Sequence, residues 1–414
     1  MRLRMGWAPV LAAPVLAAVL AVTPGTAAWA GLAGASAADT SAAGAAGAAA
    51  PEASPLAAQV LAAPDPVLAT DNRRHLVYEI MLTNVTPFPV RVSRVDVLGA
   101  RSGAVVASFA GRAAIRAIMT SVAAPHAGID VLPASGAGML WLDVSFARGA
   151  PIPARLVHRI VTTVLVPGAP AGFTMEGALT RVKRRAPVVL TPPLIGRGYA
   201  DENGCCGQSD HTRAIQTVDG LRFLAQRYAI DWVRVDRRGQ AYLGDWRKNK
   251  NWLIYGDRIV AAAPGVVVET INNIPENTPP TPLAGLTLQT APGNNVIEAI
   301  GGGEFALYAH LQTGTVAVHV GEHIRRGQFL GRVGNTGSST APHLHFQVMS
   351  APSALVSNGL PYVFARTLLT ARVLNLAEFS RDVDPLPARL GPAPRPVLRH
   401  DQLPLQGDVN TFTG

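Results

Sequence analysis

From about residue 197 onward the chain is a succession of short apolar runs cut by glycine. RIVAAAPGVVVETI (258–271), NNVIEAIGGGEFALYAHL (294–311), VAVHVGEHIRRGQFLGRVG (316–334) and HLHFQVM (343–349) follow one another in this way. Runs of this length and residue type, bounded by turn formers, read as strands joined by tight turns. Convincing amphipathic helices are few, and no internal repeat is present. ENTPPTPLAG (276–285) interrupts the pattern and reads as a surface loop. The expected fold class is therefore all-β.

The region from 64 to about 170 carries a second set of strand-like runs: LVYEIMLTNV (76–85), VRVSRVDVLG (90–99) and MLWLDVSF (139–146). Their number and spacing suggest a small sandwich. A basic cluster followed by prolines, KRRAPVVLTPPLIG (183–196), marks a boundary. The expected organisation is a β-sandwich-like domain over 64–185 and a second β domain over 190–414 that includes a C-terminal extension.

Ahead of these, MRLR and the apolar run WAPVLAAPVLAAVLAV (7–22) read as an export signal, with AWA and ASA as small-residue cleavage sites and the signal ending near 37. The apolar run is short and broken by Pro9 and Pro14, so no permanent membrane span is expected. Residues 38–63 are rich in Ala, Gly, Ser and Pro and read as a disordered or cleaved linker. Export implies a secreted, periplasmic or wall-associated protein. The formal net charge of +9 in 414 residues would draw such a protein to anionic surfaces. Nucleic acid is not an expected partner, because no helix-turn-helix, zinc finger or basic-aromatic patch accompanies the charge. The two cysteines, Cys205 and Cys206, are adjacent. A bridge between neighbours, two free thiols and an intermolecular bridge all remain open.

The chemistry sits in three places. His343 and His345 are two apart in a strand-like run and so share a face. There, one imidazole can ligate a metal while the other acts on metal-bound water. NTGSSTAPHLHF (335–346) sets a Gly/Ser turn and a proline just before the pair. His310 ends the strand EFALYAHL (304–311).

These motifs, YAHL, the glycine-punctuated stretch 318–339 and PHLHF, resemble the lysostaphin/LytM-type zinc endopeptidases, as does YGDRIVAAAPGVVV (255–268). The resemblance covers roughly 225–350. It implies a compact antiparallel β core, Zn²⁺ as cofactor, and the peptide cross-links of peptidoglycan as substrate. By resemblance His345 is a zinc ligand, Asp231 is a second, and His310 and His343 are the catalytic pair. His343 would be the general base. His310 would donate a hydrogen bond to the tetrahedral intermediate or help protonate the leaving amine.

The chain departs from the family at Arg227, four residues before Asp231, where the common pattern has the remaining His ligand. Arginine has no lone pair to offer a metal. PHAGID (125–130) has the right spacing, but His126 and Asp130 fall in the N-terminal β domain and would leave Asp231 unused. His211 is the better candidate. A three-residue loop at Val218-Asp219-Gly220 would pair Thr217 with Leu221 and carry His211 opposite Arg227, on the face of Asp231. A two-residue loop would place it opposite Tyr228, on the other face. The expected metal set is His211, Asp231 and His345, in a secreted zinc metalloendopeptidase. The alternative is a non-catalytic LytM-like regulator or wall-binding protein, with which the loss of a histidine at 227 would agree.

Overall fold

A computed structural model describes residues 53–168 and 170–413. The export signal expected over 1–37 and most of the linker lie outside the described residues. Among the described residues no helix is long and apolar enough to cross a membrane. The all-β expectation is met: two short α-helices, Arg112–Ile118 and Leu376–Phe379, stand among the strands.

The last part of the expected linker is ordered as a strand, Leu56–Val60, paired antiparallel along its length with Arg73–Asn84. LAAQV is alanine-rich, which hides its strand character, but Leu56 is buried and fixes the register.

Residues 56–181 form two antiparallel sheets. One runs Leu56–Val60, Arg73–Asn84, Ala137–Ala147, Met119–Ser121, Ala124–Gly128. The other runs Ala171–Arg181, Arg155–Val164, Val90–Gly99, Val105–Ala110. Leu76, Tyr78, Ile80 and Leu82 alternate along Arg73–Asn84 and pack with Val95, Val97 and Ile160 of the second sheet. Val77 and Glu79, which alternate with them, are buried as well. Val77 belongs to a different core, with Leu190, Leu194, Cys205 and Tyr228. Strand Arg73–Asn84 is therefore covered on both faces, one by its partner sheet and the other by the second half of the chain.

That second half is built on an antiparallel sheet whose central order is Asn294–Gly301, Glu304–Leu311, Leu344–Met349, Ile230–Arg234, Gly196–Glu202, Asp408–Phe412, Thr367–Val373. The last strand of the chain inserts into the middle, so the C-terminal extension completes the sheet. Trp232, Phe346, Phe364 and Phe412 meet on one face as the centre of the core.

The expected hairpin forms with a different loop. Val218 pairs with Leu221 and Gln216 with Phe223, leaving Asp219-Gly220 as a two-residue turn. Both turn residues take positive φ, 50° and 76°, which is the type I′ geometry that Asp-Gly favours in two-residue loops. The ladder ends at Gln216 and Phe223, so its register says nothing about residues further out. The Pro-rich excursion also differs from a plain surface loop. Asn277 is buried and donates from Nδ2 to the carbonyl oxygens of Gly337 and Ser339 at 2.8 Å each.

Arg227 faces the sandwich. Its Nε donates to Glu79 Oε1 at 2.9 Å and its Nη2 to Glu79 Oε2 at 2.7 Å. Both side chains are almost wholly excluded from solvent, at 5% and 1% exposure. Glu79 comes from the covered face of Arg73–Asn84, so a bidentate ion pair closes the interface between the two halves. Removing one partner strands the other charge in the interior. Arg227→Ala, or Arg227→His, should therefore cost about 3–5 kcal/mol of unfolding free energy. Glu79→Met combined with Arg227→Met should recover most of that loss. Chemical denaturation checks both, and an Arg227→Ala protein as stable as the wild type would refute the assignment.

Candidate metal and catalytic centre

Asp231 lies in the strand Ile230–Arg234 directly opposite His345 on one side and Glu202 on the other. His345 in turn lies opposite Ala309 of Glu304–Leu311. The antiparallel ladder thus sets the Asp231 carboxylate beside the His345 ring. His343, two residues earlier, reaches the same carboxylate, with Nε2 3.4 Å from Oδ1. The two histidines share a face, as the strand period requires.

His310 would point away from this face if its strand stayed regular, because Ala309 already occupies the position opposite His345. Its φ of 63° breaks the alternation. The ring lies 4.7 Å from that of His343 and 5.8 Å from that of His345, centroid to centroid. A non-glycine residue in this region costs on the order of 1–3 kcal/mol and persists only where its surroundings impose it. Here the imposing contact is the hydrogen bond from Nδ1 to the Thr336 carbonyl oxygen, at 2.7 Å. The turn carrying Thr336 is closely packed: Gly337, at φ 73°, lies against Gly293 with no room for a Cβ.

His211 also arrives at Asp231, with Nε2 3.2 Å from Oδ2. It does so from a series of turns over 207–214 rather than from a continued hairpin ladder. The structure brings His211 to Asp231, but not by the hairpin register expected for it. His126 and Asp130 stay apart from the cluster: His126 is an exposed residue of Ala124–Gly128, 3.4 Å from Asp210, and Asp130 is buried beside Arg91, Arg112 and Arg116.

The four rings share one arrangement. Each holds an outward nitrogen against an acceptor. His211 Nδ1 faces the Ala229 carbonyl oxygen at 3.3 Å, and His343 Nδ1 that of Ala341 at 2.8 Å. His310 Nδ1 faces that of Thr336, and His345 Nε2 faces Gln347 Oε1 at 2.7 Å. A carbonyl oxygen only accepts, so the outward nitrogen carries the proton and a neutral ring turns its lone pair inward. Three of these lone pairs, from His211, His343 and His345, meet the Asp231 carboxylate, which His345 Nδ1 approaches to 2.9 Å. A neutral ring and the carboxylate would face each other acceptor to acceptor, an arrangement that a shared proton or a bound cation satisfies. One ligand atom each from His211, Asp231 and His345 lie within 4.8 Å of one another. Two imidazoles and one carboxylate are a donor set suited to a catalytic zinc site with an open position.

Burial alone would raise the Asp231 carboxyl, but the His211 and His343 rings outweigh it and hold the group well below the usual carboxylate range. Burial would lower His211 and His343, yet the Asp231 charge raises both. Burial, reinforced by His343 and His345, keeps His310 well below its ordinary value. His310 is thus neutral, with its one N–H spent on Thr336. It presents an acceptor, and the donor role expected for it would require a protonated ring.

Two contributors were not anticipated from sequence. Asn203 donates from Nδ2 to Asp231 Oδ2 at 3.0 Å. Gln347, two residues beyond His345 on the same strand face, fixes that ring; the H-x-H-x-Q spacing was its only signal. The centre opens into a groove of about 360 Å³ whose walls include Gln226, Leu288, Pro292, Leu307 and Leu355. Cys205 and Cys206 are disulfide-bonded to each other and buried.

Residues 253–357 match Peptidase family M23. No curated protein matches the chain in sequence. Among solved structures, the catalytic domain of the prophage-encoded M23 protein EnpA from Enterococcus faecalis is similar at 17% identity, covering 44% of this chain and 92% of that one, with a TM-score of 0.22. The catalytic domain of the antimicrobial peptidase lysostaphin from Staphylococcus simulans is similar at 22% identity, covering 40% and 88%, with a TM-score of 0.22. A zinc-containing peptidase from Vibrio cholerae is similar at 14% identity, covering 68% and 80%, with a TM-score of 0.20. The stretch 253–357, which carries the YAHL and PHLHF motifs, is thus the part of the chain that matches peptidase family M23.

Proposed function

We propose that the protein is an exported zinc metalloendopeptidase that hydrolyses peptide bonds, with peptidoglycan cross-links as its substrate. The observation that carries this reading is the set of inward-facing imidazole nitrogens around one ionised carboxylate at the floor of a groove. His211, Asp231 and His345 would hold the zinc, leaving a position open to the groove. When bound, zinc polarises a carbonyl and lowers the pKa of water.

The protein's own groups do the rest. His343 Nε2, its other nitrogen tied to Ala341, takes the proton of the attacking water. The imidazolium so formed is held 3.4 Å from Asp231 Oδ1. It then returns the proton to the leaving amine as the C–N bond breaks. His310 offers a lone pair beside His343 and orients the water. Gln347 keeps the His345 lone pair on Nδ1, directed at the metal position. The signal-like residues 1–37 and the basic charge fit a wall target.

Arg227 is the one feature that favours a non-catalytic regulator. Its pairing with Glu79 gives it a structural reason to be there, and His211 occupies the neighbourhood of the absent ligand.

Zinc-loaded protein should release new amino groups from purified cross-linked peptidoglycan, and a chelator should abolish this until zinc is restored. His343→Ala should bind zinc normally while kcat falls by about 10²–10⁴-fold. Intact zinc binding with no release of amino groups would support the regulator instead. Gln347→Leu should weaken zinc binding about 10–100-fold in a chelator competition, whereas Gln347→Glu, which still accepts from Nε2, should not. Equal affinities in both variants would remove Gln347 from the site.

A further inference from the structure

We propose that the N-terminal sandwich is part of the metal centre's scaffold: it holds the segment that delivers His211, with Arg213 and Gln208 as the positioning residues. The proposal rests on the reading of His211 as a ligand.

His211 lies in residues 203–215, which pair with no strand. The imidazole has one tether to the catalytic sheet besides Asp231, the hydrogen bond to Ala229. The Ser209–Thr212 turn bonds order the backbone around it locally, and the bonds that anchor that turn outward reach the other domain. Arg213 Nη2 donates to the Ala117 carbonyl oxygen at 3.0 Å and Nη1 to that of Pro125 at 3.5 Å. Gln208 Nε2 donates to the same Ala117 oxygen at 2.6 Å. Ala117 lies in the last turn of helix Arg112–Ile118, where carbonyls have no partner within the helix. Two side chains that bracket His211 in sequence therefore converge on one unpartnered acceptor of the sandwich.

Further contacts reinforce the docking. Asp210 lies 3.4 Å from His126. Cys206 Sγ lies within 4.8 Å of ligand atoms of His75 and Asp143. The Glu79–Arg227 pair fixes the same interface at the turn that leads into the strand of Asp231. Arg213 is 5% exposed, and burial lowers its pKa. A guanidinium is desolvated there to reach backbone oxygens, which is costly unless the contacts matter to the fold.

Positioning of this kind acts on metal affinity rather than on the chemical step. The test is zinc affinity of the full chain, measured by competition with a chromophoric chelator, alongside the unfolding midpoint of the metal-free protein. His211→Ala should lose zinc. Arg213→Ala should bind zinc about 10–100-fold more weakly, and Arg213→Lys should recover part of the loss. Gln208→Ala, at a more exposed site, should cost about two- to tenfold with the unfolding midpoint unchanged. It decides the matter if Arg213→Ala fails to fold. Wild-type affinity in Gln208→Ala and in folded Arg213→Ala, with zinc lost in His211→Ala, would overturn the positioning role and leave the ligand reading intact. Zinc retained in His211→Ala would overturn the ligand reading, and this proposal with it.

Discussion

A buried, ionised carboxylate is the constraint around which the rest of the molecule is arranged. Asp231 sits almost out of solvent, where an unpaired charge is expensive. His211, His343 and His345 and the Asn203 amide converge on it from two segments, 203–215 and 343–345. The strand pairing Asp231–His345 is the only one of these contacts supplied by regular sheet. The others depend on turns and on a segment that contacts the sandwich. Each imidazole is held by its outward N–H, so the inward nitrogens stay where a metal and a substrate need them.

The same logic explains how the chain manages with arginine where its family commonly has a metal-binding histidine. Arg227 points the other way and closes the domain interface against Glu79, while His211 from the preceding segment lies beside Asp231. An exchange of this kind couples two things that are separate in a single-domain peptidase, the cohesion of the halves and the geometry of the site. The sandwich then has a part in the chemistry without lining the groove.

Much of this was legible in the sequence. Short strand runs between glycines specify an all-β chain, and H-L-H in a strand specifies two rings on one face. His211 was legible as a residue but not as a geometry: Asp219-Gly220 closes a tighter turn than expected, and the ladder stops before register could carry His211 anywhere. Leu56–Val60 was hidden by alanine, whose strand propensity is low, although its partner strand supplies the burial. Arg227–Glu79 joins residues 148 apart in sequence, and nothing local announces such a contact. His310 turns toward the site only because Thr336 accepts its N–H, which is a tertiary fact.

The most direct test of the account is to see the metal. Crystals of the zinc-loaded full chain, measured on both sides of the zinc absorption edge, would locate it by anomalous scattering. The predicted result is one zinc bonded to His211, Asp231 and His345 at about 2.0–2.2 Å, with a solvent molecule in the fourth position facing the groove. Zinc bound without His211, or no zinc at this carboxylate, would contradict it.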